Sequence, residues 1–232
     1  MITMEKITLI NSISYEINQK IVADRLHLNE NLRTSSDFKI AYTEALRLIN
    51  PRAIYGQGTV REKDGYIVII DDQKFSSRVL SKNLELVEIV FPFLITLGRE
   101  LEDHTKKLSR VTQQFYMDFI GDIILQQSIV YLERHLKKKH SYKYVSSMSP
   151  GSLKDWPIDE QIPLFSLFGH ISDEFGVRLT SSLLMSPRKS ISGIAFPTMT
   201  PFITCQLCLR NQCPGRRAKY NPNKCKDYGL DV

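Results

Sequence analysis

Apolar positions early in the chain fall at helical spacing, then switch to the alternation that strands require. Ile17 and Ile21 share one face of Ser14 to Leu26, which predicts a first helix. Phe38, Ala41, Tyr42, Ala45, Leu48 and Ile49 form a second stripe, with Ser35 and Ser36 placed to cap it and Pro51 to end it. Two strands are expected near Ala53 to Arg61 and Tyr66 to Ile70, turning at Lys63-Asp64-Gly65. Leu86 to Thr96 reads as a buried strand bent at Pro92. Helices are predicted over Leu101 to Leu108 and Thr112 to about Lys138. In the longer one Phe115, Phe119 and Ile123 recur as a core stripe beside Ile120, Ile124 and Val130, and Gly121 admits a close neighbour.

The pattern then shortens. Leu136 to His140 is a basic helix end, Ser141 to Ser147 a strand, and Pro157 to Ser172 a helix with Asp159 and Glu160 on its N-terminal dipole. Gly176 to Met185 and Ser192 to Thr198 are expected to pair as antiparallel strands through Ser186-Pro187-Arg188-Lys189. After Pro201 regular structure is expected to give way to a small tail. Two parts follow from this: an α/β domain over 1–200 and a Cys-rich tail over 201–232.

Composition narrows the class. Hydrophobic residues at 42% and charged residues at 24% are ordinary globular values. The longest uncharged apolar run, Ile89 to Leu97, is far short of the roughly 20 residues that a membrane helix needs. The N-terminus has neither a basic nor an apolar leader region, so a cytoplasmic protein is expected. The net charge is +6, and no Asp or Glu occurs between Phe175 and Lys226. Such a stretch attracts anionic partners or is simply solvated. The five histidines are scattered, and no acid/base pair, nucleophile triad or phosphate-binding Gly loop is visible, so no catalytic side chain is assigned.

The most specific stretch runs from Ser149-Pro150-Gly151-Ser152 through Asp155-Trp156-Pro157 to Gly176-Val-Arg-Leu-Thr-Ser-Ser-Leu-Leu-Met-Ser-Pro-Arg-Lys-Ser-Ile-Ser-Gly193. It resembles the activation domain of cobalamin-dependent methionine synthase. Gly176, Leu179, Thr180, Ser182, Met185, Pro187, Ser190, Ser192 and Gly193 match that family's Gly-x-x-Leu-Thr-x-Ser-x-x-Met-x-Pro-x-x-Ser-x-Ser-Gly segment. The resemblance implies an α+β fold, with a twisted antiparallel sheet carrying packed helices. It also implies that Ser149, Pro150, Gly151 and Ser152 hold S-adenosylmethionine through main-chain groups, Gly151 allowing close approach. The family's Arg four residues before the Gly, and its Tyr just after, are here Ser147 and Ser152.

The same resemblance implies the reductive reactivation, in trans, of a cobalamin-dependent methyltransferase without its own activation domain, most simply methionine synthase. The partner supplies the cobalamin, since no Asp-x-His-x-x-Gly corrinoid motif is present, and a separate electron donor supplies the reductant.

Cys205-x2-Cys208-x4-Cys213 and Cys225 hold all four thiols near the C-terminus. Clustered cysteines in such a chain suggest a zinc or iron–sulfur site, against the plain alternative of four reduced thiols. The activation domain of the large synthases lacks such a tail, whereas stand-alone relatives resemble this chain in that ending. Two other readings stand beside the first. One is a zinc-knuckle nucleic-acid adaptor, against which Tyr220 and Tyr228 are the only rings after Phe202. The other is an escort that binds a corrinoid methyltransferase without using the methyl donor.

Overall fold

A computed structural model describes residues 7–210, 213 and 215–230. Strand β1 (Thr8–Ile10) precedes three helices, α1 (Gln19–Arg25), α2 (Glu30–Thr34) and α3 (Ser36–Leu48). Their starts are set by side-chain caps, since Asn18, Asn29 and Ser35 accept from the N–H groups of Ile21, Leu32 and Phe38. Strands β2 (Arg52–Tyr55), β3 (Gly58–Asp64), β4 (Ile67–Ile70) and β5 (Gln73–Ser76) follow, then helix α4 (Arg78–Asn83) and strand β6 (Ile89–Thr96). Next come α5 (Glu100–Thr105), the long α6 (Val111–Lys139) and β7 (Tyr144–Met148). The chain continues through α7 (Gln161–Phe168), α8 (Ile171–Phe175), β8 (Arg178–Leu179), β9 (Met185–Ser186), β10 (Ser190–Thr198) and α9 (Pro222–Asp227).

One antiparallel sheet is forked around β6. On one side lie β10 and then β7; on the other, β2 pairs the end of β6 and β3 pairs its beginning. Pro92 sits in the middle of this central strand and is tolerated for a local reason. Its carbonyl accepts from Gly56 N–H, so its missing donor faces the gap where β2 ends and β3 begins. Alternate residues of β6 divide the core. Phe91, Phe93 and Ile95 meet Leu132 and Leu136 of α6, while Val90 and Leu94 point to the opposite face. Gly121 of α6 borders Leu101 of α5 and the Lys189 stem, at about 3.1 and 3.4 Å from an added Cβ.

Several expected elements differ. The hairpin turn is Gly65-Tyr66, with Gly65 at φ +58, and Lys63 and Asp64 belong to β3. The helix expected over Pro157 to Ser172 breaks at Gly169, φ +54, giving α7 and α8. Phe115 is 55% exposed, so the α6 stripe starts further along than its spacing indicates. Strand β10 does not pair with the Gly176–Met185 segment. It inserts between β6 and β7, and β8 instead closes a small hairpin on β9. Gly193 makes this possible, because a Cβ there would collide with the Met148 carbonyl and lie 2.7 Å from Phe93 Cζ.

Candidate functional site

The Ser149–Ser152 turn leaves β7 at its C-terminal end. Gly151 has φ +80, a conformation open to glycine, and an added Cβ would lie 2.8 Å from Ile158 Cδ1. Its N–H donates to Trp156 O at 2.7 Å, and Ser152 N–H donates to Ser149 O at 3.2 Å. The Ser152 hydroxyl also donates to Ser149 O, at 2.5 Å. The turn is therefore closed on itself and needs no ligand to hold its shape.

Asp155-Trp156-Pro157 fixes the turn to the rest of the molecule. Asp155 accepts from Ser77 Oγ at 2.5 Å and from the N–H groups of Arg78 and Val79 at 3.3 and 2.9 Å, at the start of α4. Trp156 is fully buried and meets Phe75 edge-on, with ring centroids 6.3 Å apart. Glu160 accepts from Ser76 N–H at 3.0 Å and from the Trp156 indole at 3.4 Å, and its burial raises its pKa.

Beside the turn lies a cavity of about 770 Å³. Gly151, Leu153 and Ile158 form one side. Leu207, Cys208, Leu209, Tyr220, Cys225 and Leu230 form the facing side, with Arg78, Lys154 and Arg210 also on its lining. The second set comes from the C-terminal segment, which is packed into the main core. Phe202, Leu207 and Cys225 share a cluster with Trp156, Phe75 and Phe196.

Polar contacts fix that segment. Phe202 N–H donates to Ser146 Oγ at 2.9 Å, Arg78 Nη1 to Gly229 O at 2.9 Å, and Tyr228 Oη to Asn83 Oδ1 at 2.9 Å. The Arg216 guanidinium donates to the carbonyls of Cys205, Cys208, Arg210 and Ala218. One planar cation thus gathers four turns of main chain.

The four thiols are not gathered in the same way. Cys225 is buried beside Tyr220, and Cys208 faces the cavity. Cys205 Sγ accepts from Arg217 N–H at 3.4 Å. Cys213 borders separate clefts with Gln126 of α6. Among the described residues no three His, Cys, Asp or Glu side chains are grouped to hold a metal ion. The expected zinc or iron–sulfur ligand set of Cys205, Cys208, Cys213 and Cys225 is not assembled.

Ser147, at the family's Arg position, faces α6 and donates to Glu133 Oε1 at 2.7 Å. Arg217 approaches the same carboxylate at 3.7 Å. Burial raises the Glu133 pKa, and Arg217 and Ser147 oppose that shift.

The stretch without acidic residues meets acids from elsewhere. Arg188 pairs with Asp118 at 2.6 Å, and Lys189 with Asp118 and Asp122 at 3.0 and 2.5 Å. Sequence reasoning found the turn but missed Tyr220, Leu207, Leu209 and Arg78 as its neighbours. No local pattern marks them, because the docking of the tail places them there.

The forked antiparallel sheet with its layer of helices defines a mixed α+β fold. Among solved structures, that of the MetH reactivation domain bound to AdoHcy shares it. The TM-score is 0.55 at 14% identity, over 97% of this chain and 86% of that one. No protein-family model matches the chain, and no curated protein matches it. No helix among the described residues is long and apolar enough to cross a membrane.

Proposed function

We propose that this chain reactivates a cobalamin-dependent methyltransferase in trans, by presenting S-adenosylmethionine to the partner's reduced cobalamin. The observation that carries the reading is the fold likeness, across nearly the whole chain, to a reactivation domain bound to AdoHcy. AdoHcy is what S-adenosylmethionine becomes after losing its methyl group. The Pro150-Gly151 turn supports the reading locally, since Gly151 and Ser152 border a cavity of about 770 Å³, while Ser149 and Pro150 are not on its lining. That volume is within the usual range of small-molecule sites, roughly 300–1,000 Å³.

The chemistry asks little of the side chains. A one-electron donor reduces the partner's cobalt, and the reduced metal then attacks the donor methyl group. The carbon–sulfur bond breaks as the cobalt–carbon bond forms, and AdoHcy leaves as a neutral thioether. The chain's task is to hold the donor in line and keep water away, so positioning supplies the rate. The nucleic-acid reading loses support, because Arg188, Lys189 and Arg217 are paired with acids of α6.

The test mixes the chain with a cobalamin-dependent methionine synthase trimmed of its own activation domain. The synthase is poised with oxidised cobalamin, and a low-potential reductant and S-adenosylmethionine are added. The reading expects the cobalt(II) absorbance to disappear and turnover to return when all components are present. Equal recovery without the chain contradicts it. Partner binding without recovery would favour the escort reading.

A further inference from the structure

We propose that the C-terminal segment is a wall of the ligand site: Leu207 to Arg210, with Tyr220, Cys225 and Leu230, close over the Pro150-Gly151 turn and contact the bound adenosyl ligand. The inference rests on the methyl-donor reading and adds to it the residues that complete the pocket.

Three observations carry it. The cavity is shared between the turn and the tail, so neither side forms a pocket alone. Its lining matches an adenosyl amino acid in kind. Leu153, Ile158, Leu207 and Leu209 offer apolar surface for a purine, and Lys154 and Arg210 offer charge for a carboxylate. Finally, the Tyr220 ring lines the cavity, with its hydroxyl set against the Cys225 thiol. An aromatic ring on the cavity wall offers a stacking face to a purine.

The tail is pre-organised for this task. Arg216 fixes its main chain from within, and Arg78 and Asn83 of α4 hold its far end. A wall ordered before binding lowers the entropic cost of closing on a ligand.

The experiment uses the full chain and AdoHcy as probe. Calorimetry gives the affinity of the wild type, of Tyr220→Ala and of Leu209→Trp. In parallel, alkylation of each cysteine is followed by mass spectrometry with and without AdoHcy. Tyr220→Ala removes the ring from the wall and should weaken binding about three- to tenfold. Leu209, 61% exposed, tolerates a larger ring, and Leu209→Trp should cost tenfold or more by filling the cavity mouth. AdoHcy should slow alkylation of Cys208 several-fold and leave that of Cys213 unchanged, since Cys213 borders other clefts.

Wild-type binding, with both variants unaffected and Cys208 labelled at its free rate, overturns the wall and leaves the methyl-donor reading standing. Absence of wild-type binding at millimolar AdoHcy, with the fold intact, removes both.

Discussion

Single residues decide where this molecule is rigid and where it titrates. His140 packs on Phe91 with ring centroids 4.8 Å apart, and its buried Nε2 has no hydrogen-bond partner among the described residues. Burial, and secondarily the Lys139 charge, lower its pKa. The folded state thus resists protonation, while the unfolded chain takes up a proton near the ordinary histidine value of about 6.5. His140 leaves stability intact above that pH and subtracts from it as pH falls below. Glu133 and Glu160, raised by burial, act in the opposite direction, so the comparison must isolate the histidine. His140→Gln should lose less melting temperature than the wild type between pH 7.5 and 5.5. Parallel losses in a calorimetric scan would exclude His140 as the titrating group.

At the level of elements, the matched segment from Gly176 to Gly193 builds the fold more than it touches the cavity. Thr180 accepts from Leu184 N–H at 3.1 Å to shape the turn between β8 and β9. Ser190 donates to Thr96 Oγ1 at 2.9 Å, and Ser192 to Gln161 Oε1 at 3.3 Å. Gly193 lets β10 pass against β7. Gly193→Val should therefore destabilise by about 3 kcal/mol, the upper end of the usual cost of overpacking. A chemical-denaturation shift under about 0.5 kcal/mol would show that β10 sits differently.

These same elements show what was legible in the sequence. The Ser35 cap, α6 and the Pro150-Gly151 turn follow from local spacing and backbone chemistry. The pairing of β10 was not legible, because its partners β6 and β7 are remote in sequence whereas the expected partner, Gly176 to Met185, is joined to it by a short connection. Phe115 keeps the helical period in the first turns of α6 but is exposed, whereas Phe119 is buried.

Over the whole molecule, the tail changes meaning most. Its four cysteines suggested a separate metal module, yet Cys225, Phe202 and Leu207 are part of the central core. Arg216 does by hydrogen bonding what a metal was expected to do by ligation. Spacing alone could not reveal this, since a guanidinium bound to carbonyls leaves no periodic trace. The positive charge of the basic stretch is real, but α6 supplies Asp118, Asp122 and Glu133 opposite it.

The proposed methyl-donor site lies beside the Pro150-Gly151 turn, so the most direct measurement is calorimetric titration of the whole chain with AdoHcy. A single saturable site is predicted, and it should be lost or weakened at least tenfold in Gly151→Val, whose side chain would meet Ile158 in a backbone conformation open to glycine. No heat of binding at millimolar AdoHcy from a folded, monodisperse sample would contradict the account.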